Sequence, residues 1–263
     1  MTPASRSPAE GPLAGKTVLV TGASRGIGAA TAKALAADGA AVIAHYRTYR
    51  EGADEAVSSL PETRKLVLCA DFADAGAARS LWARAVTWQG RVDVVVANAA
   101  IMPETPIDGP DELWDEGWRS AMQVNVLEPA SLMREAIRHF LTVGGGILIT
   151  LSSWAAQRGS AIPQLSAYAA SKAAVKAVTQ TVARNHAAEG ILAFVVAPGI
   201  VDTRMSAISA TVRGGEEGVR AALAMGEKVP PDDVARLIAY LATGACRHLT
   251  GATLDVNGAS YIR

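Results

Sequence analysis

Residues 166–175 read SAYAASKAAV, in which one phenol and one ammonium, Tyr168 and Lys172, stand among small and aliphatic neighbours. Alanine and lysine favour helix, so the stretch opens a helix that runs toward Glu189. A spacing of four places the two side chains on one helical face. A free phenol, with a pKa near 10, exchanges protons poorly at neutrality. A cation about 4 Å away, at an effective dielectric of about 20, favours the phenolate by at most roughly 4 kcal/mol, or about 3 pKa units. Such a pair would move protons near working pH. Taken alone, the spacing more commonly describes a tyrosine packed on a lysine stem, so the surrounding elements must decide.

A second stretch with chemical potential is TGASRGIG, residues 21–28, which follows the first apolar run and opens a helix through Leu35. Gly22, Gly26 and Gly28 let the backbone turn tightly, so that Ser24, Arg25 and Ile27 present their amides to a pyrophosphate at a helix N-terminus. Residues 22–26 also satisfy the GxSxG elbow of serine hydrolases, with Ser24 as nucleophile and Asp233 and His248 as partners. That elbow is misplaced on a first strand. In dinucleotide folds an acid about 20 residues onward takes the ribose 2′-hydroxyl and an arginine takes a 2′-phosphate. Here the second run ends His45-Tyr46-Arg47 with no acid before Glu51, so Arg47 with Arg25 points to NADP(H) over NAD(H).

The positioning elements are seven short runs: KTVLVT (16–21), AAVIAHY (40–46), KLVLCA (65–70), VDVVVAN (92–98), GILITLS (146–152), ILAFVVA (191–197) and ATLDV (252–256). They are continuous in apolar residues and alternate with alanine-rich, helix-period segments, as parallel strands covered on both faces do. This predicts an α/β, doubly wound, seven-stranded parallel sheet (a Rossmann fold) in one domain over residues 13–263. Residues 1–12 read as a disordered tail, and residues 202–229 as a substrate lid. Of 263 residues half are hydrophobic, and 25 Lys+Arg balance 25 Asp+Glu, so neither nucleic acid nor an anionic membrane is an expected partner. A small molecule is. No apolar run approaches the ~20 residues of a membrane span, no signal segment is evident, and a cytoplasmic protein is expected. The four histidines show no metal-ligand spacing, and Cys69 and Cys246 read as reduced, buried and inert.

The glycine turn, Asn98-Ala99-Ala100 after the fourth run, Ser152-Ser153 after the fifth and Tyr168-xxx-Lys172, in that order, resemble the short-chain dehydrogenase/reductase family from about Leu13 onward. The resemblance implies an oxidoreductase acting on ketones or secondary alcohols, with Tyr168 as the acid that protonates the nascent alkoxide. It implies that Ser153 donates to the substrate oxygen, with Ser152 as the alternative, and that Asn125 holds a water linking Lys172 to solvent. Backbone bonding alone would also account for Asn125. It places Asp71 and Phe72 beside the adenine, Asn98, Ala99 and Ala100 by the adjoining strand and ribose, and Pro198, Gly199 and Thr203 on the nicotinamide side. It also implies a homotetramer or dimer, with the long helices around 113–140 and 167–189 packing across a two-fold axis.

Three departures from the family pattern stand out: Ala97-Asn98-Ala99-Ala100 in place of NNAG, a longer loop after Ser153 carrying Trp154, Gln157 and Arg158, and His45 where an asparagine or acid is more common. The C-terminal stretch LTGATLDVNGASYIR looks most like reductases of carrier-bound β-ketoacyl groups. Val143-Gly144 and Glu189, however, occupy places where such reductases carry docking charge. Met205, Ile208, Val212, Leu223 and Met225 of the lid, with Trp154 and Ile162, predict apolar walls. A free hydrophobic ketone is therefore expected ahead of the carrier-bound group. A cofactor-binding sensor without turnover is the remaining reading, although Ser153, Tyr168 and Lys172 are all retained.

Overall fold

The apolar runs become strands because each has two faces to bury. In the computed structural model, which describes residues 11–210 and 215–263, they form β1 (Thr17–Val20), β2 (Ala41–Tyr46), β3 (Lys65–Cys69), β4 (Val94–Ala97), β5 (Gly146–Leu151), β6 (Ile191–Pro198) and β7 (Thr253–Val256). All pair in parallel in the order β3-β2-β1-β4-β5-β6-β7. Between them lie α1 (Gly26–Ala37), α2 (Arg50–Ala56), α3 (Ala77–Gln89), α4 (Asp111–Met122), α5 (Glu128–Val143), α6 (Ala155–Arg158), α7 (Ser166–His186), α8 (Arg204–Ala210), α9 (Gly215–Ala221) and α10 (Pro231–Ala242).

Side chains alternate across a strand. Val18 and Val20 of β1 therefore enter a core with Leu35 of α1 and Ile238 of α10, while Leu19 enters a second core with Leu81 of α3, Phe140 of α5 and Val182 of α7. Neither face is left for water, so no polar residue interrupts the run. The chain winds outward in both directions from β1, which pairs with β2 on one side and β4 on the other. Such a switch point leaves a crevice beyond the C-terminal strand ends. The expected doubly wound sheet is what the chain forms.

Several local expectations need correction. The segment 113–140 is two helices joined by a π-helical turn, Gln123–Leu127, a distortion that often marks a functional position. Cys69 is exposed and Cys246 half-buried, because Cys69 ends β3, an edge strand with open space on one side. Most of the expected tail, residues 1–10, lies outside the described residues. Gly11 already belongs to the fold, accepting the Ala14 amide at 3.2 Å. The expected lid contains α8 and α9. Its two ends are tied by a parallel bridge between Val201 and Val229, and the buried ammonium of Lys228 reaches Glu216 of α9 at 2.6 Å. Among the described residues no helix is long and apolar enough to cross a membrane.

Candidate active site

A cleft of about 780 Å³ opens at the C-terminal strand ends, and the glycine turn, Ser153, Tyr168 and Lys172 all line it. Tyr168 sits in the first turn of α7, next to the end of β5. Lys172, one turn on, is buried, and its ammonium donates to the Leu151 carbonyl at 2.8 Å. Its Nζ lies 5.9 Å from the Tyr168 ring centroid. The two serines after β5 part company. The Ser152 hydroxyl donates to the Lys172 carbonyl at 2.9 Å and locks the helix to the strand. The Ser153 hydroxyl bonds the Tyr168 phenol and accepts the Ala155 amide at 3.1 Å. Ser153 is thus the serine that faces the cleft chemistry, and Ser152 is occupied.

The electrostatics differ from the sequence expectation. Burial pushes the Tyr168 phenol above its ordinary pKa, and the Ser153 hydrogen bond opposes this without reversing it. Lys172 does not bring it down to working pH: desolvation lowers the ammonium itself to about 8, and that ammonium donates to a backbone carbonyl. At neutral pH the phenol carries its proton. The phenol has a proton to give, and Lys172 beside it titrates close to neutrality.

Asn125 falls in the π-helical turn and is buried. Its amide accepts from the Ile101 N–H at 2.8 Å, donates to the Ile101 carbonyl at 2.8 Å and donates to Ser171 at 3.0 Å. Ser171 in turn bonds the Tyr168 carbonyl at 2.8 Å. Asn125 therefore joins the loop after β4 to the tyrosine turn of α7, which is the backbone-bonded arrangement.

The other half of the cleft is a backbone cradle. Gly22 and Gly26 have φ of +68° and +52°, values that disfavour a side chain. A Cβ on Gly28 would lie 2.0 Å from the Gly22 carbonyl oxygen, and one on Gly26 would lie 2.9 Å from the Thr203 methyl. Helix α1 and the start of the lid thus close on the turn only because these positions are glycine. No side chain caps the first-turn amides of α1, which leaves them for an anion. Asn98 braces the turn, donating to the carbonyls of Thr21 at 2.8 Å and Gly22 at 3.2 Å. Ala99 and Ala100 line the cleft beside it, as do Ser24, Ile27, Pro198 and Gly199. The Gly199 amide is held by the Val256 carbonyl at 2.9 Å.

At the far edge, the Arg25 guanidinium lies 4.2 Å from the Tyr49 ring centroid and Arg47 is exposed beside it. Asp71 accepts the Ala73 amide at 2.9 Å and lines the cleft, and Phe72 lies behind it. The residues present fit a dinucleotide: a glycine cradle for phosphates, two cations at one end and a hydroxyl pair at the other. The hydrolase arrangement does not assemble. Neither Asp233 nor His248 lines the cleft with Ser24, and Asp233 pairs with Arg236 on its own helix.

The walls are apolar but differ from those expected. Trp154, Ile162 and Met205 line the cleft, joined by Ile101, Met102 and Leu165. Leu223 instead packs with Trp154, Ile200 and Val219 in a satellite core, and Met225 is 66% exposed. Val212 and the Ile208 side chain lie outside the described residues. Val143-Gly144 and Glu189 precede β5 and β6, at the opposite end of the sheet from the cleft, so the lack of positive charge there says nothing about the entrance of this chain. Sequence reasoning missed Tyr49, which carries no motif. It also missed Ile101 and Met102, whose signal was an apolar pair directly after a strand-end loop.

A family profile described as enoyl-(acyl carrier protein) reductase matches residues 22–259, which spans both halves of the cleft. The chain belongs to the short-chain dehydrogenase/reductase family. Membership makes it an oxidoreductase. Among relatives of this short-chain dehydrogenase/reductase, cis-4-hydroxycyclohexanecarboxylate dehydrogenase of Sinomonas cyclohexanicum is 36% identical, covering 94% of this chain and 96% of its own. A short chain dehydrogenase from Burkholderia cenocepacia J2315, solved in complex with NADP, superposes with a TM-score of 0.84 at 34% identity, over 95% of this chain and 99% of its own. A 3-ketoacyl-(acyl-carrier-protein) reductase from Brucella melitensis, complexed with NADH, gives 0.83 at 28% identity over the same shares.

Proposed function

We propose that this short-chain dehydrogenase/reductase is an NADP(H)-dependent enzyme that interconverts a free, medium-sized hydrophobic ketone and its secondary alcohol. The observation that carries the reading is the Ser153 hydroxyl bonded to a protonated, half-buried Tyr168 in a glycine-cradled cleft. The nicotinamide, when bound, supplies or accepts the hydride. Tyr168 gives its proton to the carbonyl oxygen as that oxygen becomes an alkoxide, and takes it back in the reverse direction. Ser153 donates a hydrogen bond to the same oxygen, where negative charge develops. Lys172, anchored on Leu151, keeps a positive charge beneath the phenol as the proton leaves.

Ile101, Met102, Trp154, Ile162, Leu165 and Met205 exclude water and suit an apolar substrate body. The cyclic secondary alcohol in the name of the Sinomonas relative supports that class. The Brucella neighbour's name supports a carrier-bound β-ketoacyl group as the second reading. A nicotinamide cofactor is supported by both neighbours, and the choice of NADP(H) by Arg25 and Arg47.

The decisive experiment titrates the purified protein with NADPH, following nicotinamide fluorescence, and then supplies cyclic ketones, free β-ketoesters, a carrier-protein β-ketothioester and an enoyl thioester. Binding with turnover of the free ketones is the expected result. Binding without turnover of any of them would make the protein a sensor. A thioester preferred by more than about a hundredfold in kcat/KM, or ~2.7 kcal/mol, would reverse the substrate order.

We also propose a homotetramer or dimer built on α4, α5 and α7, where Leu113 and Leu127 are exposed and a second copy would cover them. Light scattering at micromolar concentration should give a multiple of the chain mass, and a monomeric mass would exclude the assembly.

A further inference from the structure

Gly22, at φ +68°, is the first residue of the cradle, and its amide is engaged by a side chain. A buried N–H must find an acceptor, and here the acceptor is an imidazole. His45, the fifth residue of β2, is buried and lines the cleft. Its Nδ1 lies 3.1 Å from the Gly22 nitrogen and its Nε2 lies 3.0 Å from the Ala70 carbonyl oxygen. Its own carbonyl takes the next amide of the turn, that of Ala23, at 2.7 Å. The ring stacks on Phe72 with centroids 4.8 Å apart and planes 14° from parallel.

These partners fix the tautomer. The Ala70 carbonyl can only accept, so Nε2 carries the proton, and Nδ1 is left as the acceptor for Gly22. One neutral ring therefore bonds the phosphate-side turn after β1 and the adenine-side loop after β3, which touch the two ends of a dinucleotide's adenosine half.

We infer that His45 is a positioning residue of the cofactor cleft, a neutral clasp that sets the glycine turn at its working height against the loop carrying Asp71 and Phe72. This rests on the reading of the cleft as a dinucleotide site. A doubly protonated ring would turn Nδ1 into a donor facing the Gly22 N–H, and the clasp would open. Of the charged groups around the ring, Asp71 in the loop after β3 favours protonation, while Arg25 in the turn and Arg47 just after β2 carry positive charge. Burial dominates and holds the ring neutral, with its pKa brought down to about 4.

The test uses two variants and one spectrum. His45→Phe keeps the ring, its volume and its stacking on Phe72 but can neither accept from Gly22 nor donate to Ala70. His45→Asn is smaller but retains an acceptor and a donor. The Phe variant is expected to raise the Kd for NADPH about tenfold or more while kcat at saturating cofactor stays within a small factor, and the Asn variant to recover most of that loss. Equal affinity of wild type and His45→Phe would overturn the inference, as would an Asn variant no better than Phe.

Should His45→Phe fail to fold, nitrogen-15 NMR of the wild-type imidazole decides. A single Nε2–H tautomer with no titration between roughly pH 5 and 8 supports the clasp. An Nδ1–H tautomer, or titration near the ordinary histidine value, refutes it. Absence of NADPH and NADH binding in the wild type would sink the dinucleotide reading, and the spectrum would still report on the clasp.

Discussion

Replacing Tyr168 by phenylalanine is expected to lower kcat for ketone reduction by at least about a hundredfold, in the range that general acid catalysis supplies, while the Kd for cofactor changes by no more than a small factor. The ring and its packing at the start of α7 remain, and only the transferable proton is removed. Ser153 loses one partner but keeps the Ala155 amide, so the end of β5 is not disturbed. Rates from purified protein with matched cofactor titrations check this. Turnover within tenfold of wild type would mean that another group protonates the alkoxide.

The pH dependence follows from the same pair. Tyr168 is raised by burial and stays protonated through neutrality, so reduction does not wait for a proton. Lys172 is lowered to about 8. It is cationic below that value and neutral above it, and once neutral it no longer offsets the charge that Tyr168 acquires on giving up its proton. In the reductive direction kcat/KM, which reports the free enzyme, should therefore fall as pH rises through about 8. A profile that stays flat to pH 10 would detach Lys172 from the proton transfer.

How much of this could be read from the chain depends on whether a residue's role is local. The seven strands were legible because burial on both faces forces apolar runs, and residues 18–20 show it directly, with Val18 and Val20 in one core and Leu19 in the other. The glycine cradle was legible because close backbone approach admits only one residue type, as at Gly28. Roles set by contacts distant in sequence were not. Spacing placed Lys172 on the face of Tyr168 but could not show that burial would raise the phenol or that the ammonium would be anchored on Leu151, so the direction of the Tyr168 shift came out reversed. Leu223 and Met225 are apolar in the right segment, yet in the turn after α9 one packs with Trp154 and the other faces outward, a difference that apolar character alone does not encode. His45 was visible as an unusual residue at a strand end, and only the fold reveals which two loops it joins.

Cofactor choice is the property most open to inversion by a single change. In the wild type NADPH should bind more tightly than NADH by about tenfold or more, because charge-assisted hydrogen bonds to a 2′-phosphate are worth roughly 1.5–3 kcal/mol each. Arg25 is pre-organised for this, its guanidinium stacked 4.2 Å from the Tyr49 centroid, whereas Arg47 stands exposed at the cleft edge. Arg47→Asp removes one phosphate partner and puts a carboxylate where a ribose 2′-hydroxyl would be, so the preference should vanish or reverse. Arg25→Ala should weaken NADPH without adding affinity for NADH. The two effects should be less than additive if both cations hold one phosphate. Fluorescence titrations of the four proteins with both cofactors separate these outcomes. Equal dissociation constants for NADPH and NADH in the wild type would remove the two arginines from cofactor selection altogether.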